Sequence, residues 1–291
     1  MRRSYLVVGG DGLIGQGLVG ALRNNGLPVR HTTRRLPGNA AGAIHLDLAS
    51  PAEDLDVDPC VAFLCAAVTS TKACADDAEG TRRINVDNTA RLAERLLRSG
   101  TGVVFLSTNA VFDGTRAYER PDAQVCPQVE YGRQKADAER MILGMGPGAA
   151  VLRLTKVVSG STPLVSAWAS ALRNGRAIQP FSDLPVCPLS LGHAVEAMLA
   201  IAQAELDGVF HLSGARDITY AEFALALAQS IGADPRLIQP IPHAQSGAAL
   251  SYTPVHTTLD MEESHRRVGL LPQSLAEVIS SLAGQSASGK D

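Results

Sequence analysis

No run of about 18 apolar residues occurs in the chain, which argues against a membrane-spanning helix. Met1-Arg2-Arg3 and the apolar stretch after it faintly imitate an export signal. Gly9, Gly10, Asp11 and Gly12 break that stretch, Arg23 and Asn24 follow, and no small-residue cleavage site is obvious, so export is not expected. Cys60, Cys65, Cys74, Cys126 and Cys187 contain no C-x-x-C pair, and no histidines stand at zinc-ligand spacing, so no metal site is expected. An odd, unpatterned set of thiols fits a reducing cytoplasm, and Cys60 and Cys65, in an apolar run, read as buried. Basic excess is missing too. With 26 Lys and Arg against 29 Asp and Glu, the net charge of −3 carries no nucleic-acid footprint. Arg34-Arg35 and Arg82-Arg83 read as solvated pairs unless a site claims them. There are no internal repeats.

What is present is ordinary for a globular enzyme: 291 residues, 45% apolar and 19% charged, enough for one large domain or two unequal ones. Tyr5 to Val8 is a short apolar run that stops at glycines, as a buried parallel strand does. Leu13, Ile14, Leu18, Val19 and Leu22 follow at helical spacing, closed by Asn25-Gly26. Further strands are predicted at Pro28 to Thr33, Ala43 to Asp47, Val61 to Cys65, Val103 to Ser107 and Ala150 to Leu154, with helices over 81–99 and 130–143. Strands alternating with helices predict an α/β fold with a doubly wound parallel sheet. After about residue 155 the texture changes. Helices are predicted at 162–174, 191–204, 219–231 and 273–283, and short strands at 177–179 and 209–211. The expected organisation is a dinucleotide-binding domain of the Rossmann type over 1–155 and a smaller mixed α/β substrate lobe over 156–283, some of whose elements return to the sheet. The small, polar tail 284–291 is expected to be disordered.

The first glycine turn, Gly9-Gly-Asp-Gly-Leu-Ile-Gly15, lies after a strand and before a helix, where a dinucleotide fingerprint needs it. Gly9 allows a tight turn and Gly12 lets the backbone approach a pyrophosphate at the helix N-terminus. Gly15 lets the helix pack close to the strand, and Leu13 and Ile14 complete the cofactor-binding turn. The end of the second strand decides between cofactors: an acid there binds the ribose hydroxyls of NAD. This chain has Thr32-Thr33-Arg34-Arg35 instead. Without a carboxylate, and with guanidiniums able to pair a 2′-phosphate, NADP(H) is favoured over NAD(H). Asp47, with Leu48 after it, is placed to accept from the adenine amino group or to cap a helix.

Tyr131 and Lys135 stand four apart on a predicted helix and therefore share a face. A nearby ammonium favours a phenolate and moves the tyrosine toward working range. Ser107 and Thr108 end a strand at the carboxyl edge of the sheet, where open α/β folds bind ligands and where a hydroxyl can hold a carbonyl oxygen.

With these residues in view the chain resembles an extended short-chain dehydrogenase/reductase, and more narrowly the dTDP-4-dehydrorhamnose reductase-like, sugar-nucleotide-binding branch. The resemblance runs over about residues 4 to 230, through Gly9 to Gly15, Asn85-Val-Asp-Asn-Thr89, Leu106-Ser-Thr-Asn-Ala-Val-Phe-Asp-Gly114, Tyr131 to Lys135 with Ala136, Asp137 and Glu139, and Val151-Leu-Arg-Leu154. It implies an NAD(P)H-dependent reductase of a nucleotide-linked 4-keto sugar. Tyr131 would be the general acid, Lys135 would hold the nicotinamide ribose, and Thr108 would bind the substrate carbonyl. Cys65-Ala66-Ala67 would run along the cofactor where the family commonly has Asn-Ala-Ala. Asn109 stands where these reductases usually have Asp, and Asn109-Ala110 replaces the acidic pair of the dehydratases. Lys156 lies near a position where rhamnose-type reductases place Trp, which points toward another substrate, such as an acidic one, or marks a surface lysine. Trp168, Arg173, Arg176, Phe181 and His193 are candidates for the nucleotide half of the substrate, with ordinary packing as the plainer explanation. A sugar-nucleotide epimerase that keeps its NAD and a non-catalytic nucleotide-binding regulatory protein are the alternatives. Relatives often form homodimers through the helices at 81–99 and 130–143, though here their outer faces are mostly polar.

Overall fold

The structure, a computed structural model, describes residues 3–35, 41–50, 59–247, 250 and 252–285. The chain divides into two compact units. The first comprises Met1–Phe112, Pro121–Arg153 and Val195–His211, and the second Asp113–Arg120, Leu154–Ala194 and Leu212–Asp291.

In chain order the first unit contains β1 (Tyr5–Val8), α1 (Leu13–Asn24), β2 (Val29–Thr33), β3 (Ala43–His45), β4 (Val61–Leu64), α2 (Thr71–Asp76), α3 (Ala78–Arg82), a π-helical segment (Arg83–Asn88), α4 (Thr89–Arg98), β5 (Gly102–Thr108), α5 (Glu130–Leu143) and β6 (Ala149–Leu154). The second contributes β7 (Lys156–Val158), α6 (Pro163–Arg173), β8 (Pro185–Val186) and β9 (Pro188–Ser190). The chain continues through α7 (Leu191–Gln203) and β10 (Gly208–Leu212), then β11 (Ile218–Thr219), α8 (Tyr220–Ser230), α9 (Glu262–Val268) and α10 (Leu275–Gln285).

Seven strands form one parallel sheet in the order β10-β6-β5-β4-β1-β2-β3. Tyr5 pairs with Val29 on one side and Val61 on the other, so β1 is central and its carboxyl end opens into the glycine turn. All four residues of β1 and of β4 are buried, as a strand covered on both faces requires. On one face Leu6, Val8, Ala62, Leu64, Val103, Phe105 and Val151 alternate along their strands and pack against Leu92, Ala93 and Leu96 of α4 and Ala138 and Ile142 of α5. Arg153 ends this core with a buried ion pair to Glu139 at 2.8 Å.

The second unit has its own core of Val158, Val165, Val186, Ile218, Phe223, Leu227, Val278, Ile279 and Leu282. β7 and β9 pair in parallel and β8 and β11 antiparallel. Asp217 ties two loops of this unit together, accepting from His256 Nδ1 at 3.1 Å and from the hydroxyls of Thr257 at 2.7 Å and Thr258 at 2.9 Å.

Several expectations change. The element of the smaller lobe that returns to the main sheet is 209–211, in β10 at its edge, and most of α7 joins the first unit with it. Residues 177–179 form no strand. Ile178 makes one isolated bridge to Ile238, and Pro180 follows it, without an N–H to extend a ladder. The single helix predicted over 81–99 begins earlier and is interrupted by the π-helical turn. Cys60 is exposed and Cys65 half-buried, whereas Cys74 and Cys187 are the buried thiols. The residues from 286 onward, expected to be disordered, lie outside the described ones.

Candidate active site

The glycine turn is built by close approaches. Gly9 sits at φ +90°, and a Cβ on it would lie 2.7 Å from the backbone nitrogen of Ala66. A Cβ on Gly15 would lie 2.1 Å from the Gly9 carbonyl oxygen. These two glycines press the turn against the loop after β4 and against the first turn of α1. Gly12 is different. Its backbone is extended, as any residue can be, and a Cβ there would meet only the Gly9 oxygen, at an ordinary 3.5 Å. The protein's own packing therefore does not demand glycine at this position. The space beside it faces the N-terminus of α1, which no side chain caps. Open room before an uncapped helix N-terminus fits a dinucleotide pyrophosphate.

The end of β2 is tied into the same turn. Thr32 accepts the Gly9 N–H on its hydroxyl at 2.9 Å and the Gly10 N–H on its carbonyl at 2.9 Å. Thr33 accepts the Arg35 N–H at 3.1 Å and donates its hydroxyl to Asp11 Oδ2 at 2.6 Å. Arg34 and Arg35 are exposed beside it. The end of the second strand was expected to have no carboxylate available; Asp11, supplied by the glycine turn, brings one there.

Asp47 accepts the Ala49 N–H on Oδ1 at 2.9 Å, closing the turn after β3, and Leu48 is buried. Two asparagines of the π-helical segment hold the neighbouring loops by their backbones. Asn88 donates to the Leu48 carbonyl at 2.8 Å. Asn85 accepts the Val68 N–H at 2.7 Å and donates to the Val68 carbonyl at 2.9 Å, just beyond Cys65-Ala66-Ala67. Asn85 also donates to Gln134 of α5 at 2.8 Å, linking that loop to the helix bearing Tyr131 and Lys135. The sequence reading missed these clamps. Two asparagines three apart inside a predicted helix were the available signal, since asparagine is a poor interior helix residue without a partner.

α5 begins against the turn that follows β5. A Cβ on Gly132 would lie 2.1 Å from the Ala110 carbonyl oxygen, so the helix start and the Thr108–Ala110 turn touch through backbone. Thr108 accepts the Ala110 N–H at 3.1 Å and lies within 3.4 Å of Asn109 Oδ1. Ser107 is buried, and its hydroxyl has no hydrogen-bond partner among the described residues. One turn below the half-buried Tyr131, Lys135 is almost fully buried, and its ammonium lies 3.8 Å over the centre of the Phe105 ring. Among the described residues it has no ion-pair partner. Burial lowers its pKa to about 7, partly offset by the negative charge of Glu139. Burial pushes the Cys65 thiol up to about 12. Burial also moves Tyr131 well above the ordinary phenol range, with the nearby Cys74 adding to the rise. The direction is opposite to the expected lowering by Lys135. A phenol is already protonated at neutral pH at its ordinary pKa, so the rise leaves Tyr131 in the donor form and makes it a weaker acid.

Lys156 and Trp168 belong to the second unit. Lys156 is exposed on β7. Trp168, on α6, packs edge-on to Tyr220 and against Phe223, each ring centre 6.4 Å away, so packing accounts for it. Phe181 packs edge-on to Tyr220 at 6.2 Å, Arg173 and Arg176 are exposed, and His193 Nε2 lies 3.0 Å from the Leu271 carbonyl oxygen.

The fold and the dinucleotide turn define an extended short-chain dehydrogenase/reductase. Within that class the chain belongs to the RmlD substrate binding domain family, which it matches over residues 3–286. It is 27% identical over 247 residues to the probable low-salt glycan biosynthesis reductase Agl14 of Haloferax volcanii, covering 80% of this chain and 82% of that protein. To the dTDP-4-dehydrorhamnose reductase of Aggregatibacter actinomycetemcomitans it is 23% identical over 280 residues, covering 92% and 94%. It is also 26% identical to methionine adenosyltransferase 2 subunit beta of Xenopus laevis, over 84% of this chain and 77% of that one. Among solved structures, the Bacillus anthracis dTDP-4-dehydrorhamnose reductase in complex with NADP has a TM-score of 0.86 at 17% identity, covering 98% and 100%. MoeE5 in complex with UDP-glucuronic acid and NAD has a TM-score of 0.81 at 22% identity, covering 99% and 100%. The protein is accordingly an NAD(P)-dependent oxidoreductase.

Proposed function

We propose that this chain reduces a keto group on a nucleotide-linked sugar, a 4-keto deoxy sugar being the first candidate, with Tyr131 as the acid that protonates the carbonyl oxygen. The observation that carries the reading is the geometry of α5: the half-buried Tyr131 stands one turn above the buried Lys135, whose Nζ lies 3.8 Å over the Phe105 ring, and the start of the helix touches the Thr108–Ala110 turn through backbone. When bound, the nicotinamide supplies the hydride. Gly9, Gly12, Leu13, Ile14 and Gly15 hold the pyrophosphate at the start of α1, and Cys65-Ala66-Ala67, set by Asn85, line the cofactor. Asp47 and Leu48 serve the adenine end. Lys135 holds the nicotinamide ribose. Once its ammonium is hydrogen-bonded there, its charge also steadies the phenolate left when Tyr131 gives up its proton. Thr108 positions the carbonyl, and the unpartnered Ser107 hydroxyl is a second donor for it. Asn109-Ala110 provides no acid pair for elimination, which favours reduction over dehydration. Arg34 and Arg35 support NADP(H); Asp11 acts against a 2′-phosphate. Lys156 suits an acidic substituent on the sugar. The remaining elements of the proposal are a cytoplasmic setting, a small-molecule substrate and pairing of two copies through α4 and α5. None of the described helices is long and apolar enough to cross a membrane.

The test is oxidation of NADPH and NADH by the purified protein against nucleotide-linked 4-keto-6-deoxy sugars and the corresponding uronic acids. Turnover of one panel member supports the reading. Copurified, tightly held NAD with interconversion of sugar epimers would favour an epimerase. Dinucleotide binding with no turnover on any member would favour a non-catalytic regulatory role.

A further inference from the structure

The group that faces the adenosine ribose in this fold is set at the end of β2. In this chain that place is shared. Asp11, the third residue of the glycine turn, accepts the Thr33 hydroxyl at 2.6 Å, and among the described residues it pairs with no guanidinium. The Thr33 hydroxyl is fully committed: its one hydrogen goes to Asp11 and its oxygen accepts the Arg35 N–H at 3.1 Å. Thr33 therefore has no hydrogen left to offer a phosphate oxygen. The chain presents a carboxylate, which accepts hydrogen bonds and carries negative charge. A ribose 2′-hydroxyl can donate to it. A 2′-phosphate brings a charge of about −1.5 to −2 and only acceptor oxygens, and is repelled. The turn is also braced against moving away. Thr32 holds the Gly9 and Gly10 N–H groups, and Gln16 Nε2 donates to the Asp11 carbonyl at 2.8 Å. A Cβ on Gly10 would strike the His31 ring at 2.6 Å, so the backbone carrying Asp11 lies directly on β2.

We propose that Asp11, reaching across from the glycine turn to Thr33, is the acid that reads the adenosine ribose. The chain then takes NAD(H) at least as well as NADP(H), despite Arg34 and Arg35. The inference rests on the dinucleotide-binding part of the proposed function and not on the sugar.

The experiment is calorimetric titration of the full chain with NAD+ and, separately, NADP+, for the wild type, Asp11→Asn, Asp11→Glu and Arg34→Ala. Asn keeps an acceptor for the Thr33 hydroxyl and removes the charge. Asp11→Asn is expected to shift the ratio of the two dissociation constants toward NADP+ by about tenfold or more, equivalent to about 1.4 kcal/mol. Asp11→Glu, which keeps the charge and controls for folding, is expected to hold the wild-type ratio. Arg34→Ala is expected to weaken NADP+ and leave NAD+ unchanged. A wild type that binds NADP+ more than about tenfold tighter than NAD+ overturns the proposal, as does an unchanged ratio in Asp11→Asn. Binding of neither dinucleotide overturns it together with the dinucleotide reading. Binding of both with no activity on any keto sugar strikes the proposed reaction alone.

Discussion

Replacing Gly12 by alanine separates what the fold needs from what the ligand needs. The new Cβ would meet one protein atom, the Gly9 oxygen, at 3.5 Å, and the backbone at φ −76° and ψ 162° suits alanine. Alanine restricts the unfolded chain, a gain of about 0.4–1 kcal/mol, and is a somewhat poorer helix N-cap than glycine, an opposing effect of similar size. Unfolding free energy measured by urea titration is therefore expected to change by less than about 1 kcal/mol. Binding should respond very differently, because the methyl group occupies the room left for the pyrophosphate. Losing one hydrogen bond to a charged group costs about 1.5–3 kcal/mol, or roughly 10- to 150-fold in affinity. Gly15→Ala is the contrasting variant. Its Cβ would lie 2.1 Å from the Gly9 oxygen, and the backbone shift that follows should cost about 1–3 kcal/mol or more of stability. Calorimetric titration with NAD+ and NADP+ reads the binding side. If Gly12→Ala binds both within about threefold of the wild type, the pyrophosphate does not lie against Gly12 and the account of the turn is wrong.

Lys135→Met should stabilise the protein in a pH-dependent way. The Lys135 pKa falls from 10.5 to about 7 on folding, so between those values the unfolded chain binds the extra proton and wild-type stability rises with pH. The penalty is fully present below about pH 7, where the variant should be more stable by on the order of 3–5 kcal/mol, and the two should converge above about pH 10.5. Urea titrations across that range decide it, and a pH-independent difference would contradict the burial argument. Glu139→Gln leaves the Arg153 guanidinium buried without its 2.8 Å partner and should cost about 3–5 kcal/mol in the same assay. Asn85→Ala strips the Val68 N–H and carbonyl of their partner and should cost about 2–4 kcal/mol while weakening dinucleotide binding.

The parts of the fold that were legible in the sequence are those set by local period. β1 and α5 fall on the predicted residues, because a four-residue apolar run ended by glycines and a 14-residue amphipathic stretch each define their own boundaries. The glycine turn was legible for the same reason. What escaped depends on partners distant in the chain. Asp11 and Thr33 are 22 residues apart, so sequence alone shows a β2 end without a carboxylate. Within the π-helical turn Asn85 and Asn88 reach backbone groups 17 and 40 residues away, which a helical period cannot foresee. A return of some later element to the sheet was expected, but not that β10 is the strand that makes it, next to β6 and more than fifty residues away. That Tyr131 and Lys135 stand one turn apart on a helix was readable from spacing, but the direction of the phenol's shift was not. Helical spacing sets their separation along α5, whereas the phenol's shift is set by its burial, with Cys74 adding to the rise.

The central claim is that Tyr131 donates the proton in a reduction. Its most direct test compares Tyr131→Phe with the wild type on whichever nucleotide-linked keto sugar the wild type reduces, following loss of reduced nicotinamide under saturating cofactor, with dinucleotide affinity measured in parallel. Removing a positioned general acid costs about 100- to 10,000-fold in turnover. The expected result is a fall of that size in kcat with the cofactor Kd unchanged. A variant that turns over within about tenfold of the wild type would contradict the account, because the proton would then have another source.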